Sequence, residues 1–127
     1  MSGRQNVCFV GPARTNIAAA TRYYPDATGW DVGKKNSYIA IQGSLAGGVT
    51  WKIEATMKPR DAEGAELWTD ISKAFYDLED DATGNASWVD DASFAVHLNG
   101  CSFERLRIKE VTSDATNVVT GYIRLGD

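Results

Sequence analysis

The sequence predicts an all-β protein, an antiparallel β-sandwich or jelly roll folded as a single domain. Three observations predict it. Val49, Trp51, Ile53, Ala55 and Met57 alternate with Thr50, Lys52, Glu54, Thr56 and Lys58. That period of two gives a strand one apolar and one wet face. The stretches 93–98, 103–111 and 118–125 repeat the pattern, separated by turn residues such as Asn99 and Gly100. Twelve glycines stand against three prolines, and no long helical period appears.

Element by element, residues 1–36 are the least regular part. Residues 6–10 suit a short strand stopped by Gly11 and Pro12, and 17–21 are too short to show either period. Tyr23, Tyr24, Pro25 and Asp26, then Gly29 to Gly33, are rich in turn formers. Residues 1–36 are therefore assigned as an N-terminal arm or edge segment, and 37–127 as the sandwich domain. Residues 38–42 read as a strand, and the Gly-rich 44–48 as a turn into the alternating strand 49–57. Pro59 and the stretch 61–64 end that strand. Residues 67–71 suit a short strand or corner. In 72–81, Ala74, Phe75 and Leu78 approach helical spacing over too short a run to decide. Phe94, Val96 and Leu98 then share one face. In 103–111, Leu106 and Ile108 are expected inward and Arg105, Arg107 and Lys109 outward. After a polar loop, Val119, Ile123 and Leu125 form the inner face of the last strand. The last two strands read as a hairpin.

The 127 residues suit one domain, able to bury roughly two-thirds of its unfolded surface without a metal or disulfide. Thirteen basic against seventeen acidic residues give a net charge of −4 with no basic cluster. Nucleic acid and anionic membranes are thus not expected partners. Cys8 and Cys101 neighbour apolar residues and are expected as buried free thiols rather than a disulfide. No secretory signal and no apolar run of membrane length are read, so synthesis in the cytoplasm is expected.

Motifs for chemistry fail one by one. His97 is the single histidine, expected on the wet face of its strand, and cannot build a multi-ligand zinc site. The cysteines are not in CxxC spacing, and no GxSxG elbow is present. Residues 29–35 approach a phosphate loop but are one residue short and lack the Ser or Thr after the lysine. Asp77, Glu79, Asp80, Asp81, Asp90 and Asp91 match no EF-hand loop and read as solvated acidic loops. No catalytic, cofactor-binding or metal-ligating residue is expected, and no enzymatic activity. Trp30, Trp68 and Trp88 lie near turns, where they cap the core ends or present rings to a partner. Phe9, Tyr23, Tyr24, Trp30, Trp68 and Trp88 are the candidate interface residues.

A wider order of motifs follows. An alternating strand ends in an expanded turn from Asp61 to Gly64, followed by Trp68, Asp70 and Ile71. An aromatic-x-Arg-hydrophobic-Arg-hydrophobic strand comes next, with Phe103, Arg105, Leu106, Arg107 and Ile108, and then the closing strand 118–125. Over residues 37–126 this resembles small β-sandwich virion proteins of tailed bacteriophages. The resemblance implies a capsid decoration (cement) protein on the shell exterior, bound to the major capsid protein and oligomeric as a trimer or ring. A tail or head–tail connector component is the alternative within that class. The same grammar occurs in some carbohydrate-binding sandwiches, so a glycan-binding module using exposed tryptophans is the alternative outside it.

Overall fold

The computed structural model describes residues 14–32, 38–100 and 103–126. Phe9, Cys8, Cys101 and the strand expected over 6–10 lie outside these residues. Two antiparallel sheets pack face to face, as the alternation predicts.

The first sheet is built on β4 (Tyr38–Ala46) and β12 (Val118–Gly126), paired along nine residues. Beyond β12 lies the short β1 (Arg14–Thr15). Beyond β4 lie β10 (Phe94–Asn99), β7 (Tyr76–Asp77) and β8 (Ala82–Thr83). The second sheet is built on β5 (Val49–Thr56) and β11 (Arg105–Thr112), paired along eight residues. On the outer side of β11 run β2 (Ala20–Tyr24) and β3 (Trp30–Asp31). On the outer side of β5 run β6 (Thr69–Asp70) and β9 (Trp88–Val89).

Alternation becomes a core because each sheet turns its apolar set inward. Ile39, Ile41, Leu45, Phe94, Val96, Val119, Ile123 and Leu125 face Val49, Trp51, Ile53, Leu106 and Ile108. Trp51 sits at the centre, edge-on to Phe94 at 5.8 Å. Its ring reaches the opposite sheet where two glycines, Gly43 and Gly121, face each other across β4 and β12. A Cβ on Gly121 would overlap the Trp51 ring, with the next ring carbons only 2.9 and 3.0 Å away. Gly121→Ala is therefore expected to destabilise the fold by about 1–3 kcal/mol through overpacking. Urea unfolding checks this; unchanged stability would mean that the indole can slide aside.

Several expectations are corrected. The last two strands are not a hairpin, since β11 and β12 belong to different sheets. Residues 113–117 carry the chain between the sheets, as Gly47 and Gly48 carry β4 to β5. A short polar loop reads the same in both cases. The long edges offered by β4 and β5 decide the pairing. Met57 is 70% exposed rather than inward, because β5 ends at Thr56 and the Lys58 N–H donates to the Thr56 hydroxyl. The run 72–81 contains one 3-10 turn, Ser72–Ala74, before β7. The strand after Tyr38 runs to Ala46, into the stretch read as a turn. One cation of β11 also departs from its expected exposure: Arg105 is fully buried, while Arg107 and Lys109 lie on the outer face.

Candidate interaction surface

The candidate aromatics separate into three environments. Trp88 is only 1% exposed, stacked on Phe94 at 5.4 Å and edge-on to Phe75 at 6.5 Å. It is a core residue, and its place in an interface is corrected: β9 pairs with β5 so that Trp88 falls opposite the inward Trp51. Trp30 is half-buried against the core, paired with inward Leu106. Tyr24 lies at the core margin, with the Arg14 guanidinium 4.5 Å above its ring and its hydroxyl donating to Glu110. Tyr23 and Trp68 are the two that meet on an outer face.

They meet around an arginine. Arg107 points outward from β11, and its guanidinium lies 4.2 Å from the Tyr23 ring centre and 4.1 Å from that of Trp68. Arg Nε donates to Glu54 Oε1 at 2.8 Å, and Nη1 donates to the Ala27 carbonyl at 2.7 Å. Arg105, two residues earlier on the same face, lies 5.4 Å from the Trp68 ring. Its Nη2 donates to Glu66 Oε1 at 2.7 Å, Nε to the Lys58 carbonyl and Nη1 to the Thr28 carbonyl. The strand parity is as expected, but the 57–68 loop and the 26–29 turn fold over Arg105 and bury it. Gly29 makes that closure possible. It has φ +79°, and a Cβ there would come within 2.7 Å of the Leu106 carbonyl oxygen and 3.0 Å of Trp68.

Hydrogen bonds set the carboxylates here. The Glu66 carboxyl is held below its ordinary pKa, chiefly by the Arg105 bond and then by the Trp68 indole N–H. The Asp26 carboxyl is likewise lowered, first by the Thr28 hydroxyl and then by the Thr28 backbone N–H. The acidic loops serve as turn caps. Asp77 accepts the Glu79 and Asp80 N–H groups, and Asp90 accepts those of Gly48 and Val49. Among the described residues, no group of three or more His, Cys, Asp or Glu side chains is arranged to hold a metal ion. His97 faces outward, as expected, with its ring 5.3 Å from Tyr76.

One buried polar group escaped the sequence reading. Glu110 shares the inward face of β11 and is fully buried. It accepts from Arg14 on β1, Tyr24 on β2 and the Trp51 indole on β5. The first sheet is thereby tied to the second along one edge.

No protein-family model matches the sequence, and no curated protein matches it significantly. The fold does have a relative among solved structures. The chain shares the fold of the SPBc2 prophage-derived protein YomS. The match has a TM-score of 0.54 and covers 99% of this chain and 97% of that one, at 13% sequence identity. The likeness thus takes in the edge strands β1, β2 and β3 as well as the two central pairs.

Proposed function

We propose that the chain is a structural protein of a bacteriophage particle, a capsid decoration protein that binds the major capsid protein on the outside of the shell. The observation that carries this reading is the end-to-end likeness in fold to a prophage-derived protein. The organisation of the outer faces supports assembly rather than catalysis. Arginines, aromatics and carboxylates are locked to one another, and the well-anchored outer-face group is a stack rather than a cleft with converging reactive groups. The glycan-binding alternative has less support at two of its three tryptophans. Trp88 is in the core, and the Trp68 ring is engaged by two guanidinium groups.

The decisive measurement is the position and copy number of the protein in purified particles by electron microscopy. Hundreds of copies on the shell exterior are expected. A small ring at the neck or tail would overturn decoration but keep a virion role, and absence from the particle would overturn both.

A further inference from the structure

The outer face of the second sheet carries a pair of adjacent lysines that no other described residue neutralises. Lys109 on β11 stands directly opposite Lys52 on β5 and, on its other side, opposite Tyr23 on β2. Both lysines alternate with core residues and therefore point outward, and Tyr23 shares their face through its ring contact with the outward Arg107. Among the described residues neither lysine takes part in an ion pair, although the chain as a whole has net charge −4. Neighbouring cations of the same face are matched, Arg107 by Glu54 and Arg105 by Glu66. Glu54 is the nearest carboxylate along β5, and it is already committed to Arg107.

Like charges directly opposite each other in an antiparallel pair weaken a sheet. Fold stability therefore does not account for the two lysines. The next rung of the same face is apolar. Val111 stands opposite Thr50, and Thr50 opposite Val89, with the valines 37% and 57% exposed. An exposed apolar rung thus lies beside an uncompensated cationic rung, bordered by the Tyr23–Arg107–Trp68 stack. Protein interfaces combine an apolar centre with a charged margin in this way, and the margin's charge selects the partner's.

We propose that this face docks an acidic, partly apolar protein surface of another particle component, with Lys52 and Lys109 receiving its carboxylates and Val89 and Val111 packing on its apolar part. The proposal rests on the assembly role argued above and names the face that performs it. A nucleic-acid backbone fits less well, because it offers no apolar part to pack on the exposed Val89 and Val111.

The test compares wild type with Lys52→Glu, Lys109→Glu, the double variant, and the neutral pair Lys52→Gln/Lys109→Gln. Arg124→Glu, exposed on the opposite sheet, is the control. Each protein is added to purified particles lacking it, and bound copies and Tm are measured. Each single Lys→Glu change places a carboxylate across from a lysine, so Tm is expected to hold or rise. Loading is nevertheless expected to weaken by about tenfold or more, and further in the double variant. The glutamine pair should also load poorly at unchanged Tm, while Arg124→Glu loads as wild type. Wild-type loading by the Lys52 and Lys109 variants would overturn the proposed face and leave the assembly role standing. Failure of the wild type to load would overturn the assembly role and the face with it. Retention of the wild type on DNA but not on particles would do the same.

Discussion

Replacing Glu110 by alanine is expected to lower the free energy of unfolding by about 3–5 kcal/mol, the range for breaking a buried ion pair by removing one partner. The carboxylate is fully buried and accepts hydrogen bonds from Arg14 Nη1 and Nη2 at 3.3 and 3.0 Å, Tyr24 Oη at 3.1 Å and Trp51 Nε1 at 2.9 Å. Alanine removes all four acceptor contacts at once and leaves the Arg14 guanidinium beside an apolar gap. Glu110→Gln keeps the shape and one acceptor oxygen, so a smaller loss of about 1–3 kcal/mol is expected. Arg14→Met should destabilise too, since it leaves a buried carboxylate without its cation. The double variant Arg14→Met/Glu110→Gln should then cost less than the sum of the two single changes. Equilibrium urea unfolding of the four proteins measures this directly. A cost below about 1 kcal/mol for Glu110→Ala would show that water takes over the carboxylate's role.

Glu110 also marks where sequence reading stops. Alternation shows which residues share a face, and Ile53, Val96, Leu106 and Ile123 went inward as that rule requires. The same rule places Glu110 inward with Leu106 and Ile108, which the acidic side chain disguised in the string of residues. Its partners lie 96, 86 and 59 positions away, on three other strands. No local pattern announces such contacts. Arg105 was disguised in the opposite sense. Its outward parity was legible, but its cover arrives from two loops far away in sequence. The crossing from β11 to β12 was hidden because loop length reports a reversal of direction and not which sheet receives the next strand. On the candidate surface, Tyr23 and Trp68 were singled out from their residue type alone. The arginine between them was visible only as one of three alternating cations. For Trp88 the sequence leaves core cap and interface ring both open, because nearness to a turn says nothing about the side to which a two-residue strand directs its ring.

Arg105→Ala is expected to be the second large loss, about 3 kcal/mol or more, for reasons that differ from those at Glu110. Arg105 is the buried peg that ties both the 57–68 loop and the 26–29 turn to β11, beside the more exposed bonds of Arg107 to Ala27 and of Arg60 to Thr28 and Gly29. One planar guanidinium serves the Lys58 carbonyl, the Thr28 carbonyl and Glu66 together. Lysine offers a single ammonium in place of that fork, so Arg105→Lys is expected to rescue little. The loosened loop should become the first site of proteolysis, because its remaining attachments are mostly exposed. The pairing also sets a dependence on pH. Because the Arg105 bond, followed by that of Trp68, lowers the Glu66 pKa in the folded protein, the pair's contribution is complete above the ordinary glutamate value of about 4.3. It is lost as pH falls through the lower folded value, since the unfolded chain then binds the proton more readily. Stability of the wild type should therefore decline on acidification in part through Glu66, and Arg105→Ala should flatten that part of the decline. Unfolding free energies of wild type, Arg105→Ala and Glu66→Gln measured between about pH 6 and about pH 3 separate the effects. Parallel curves for all three would show that the Arg105–Glu66 pair holds the loop by packing alone.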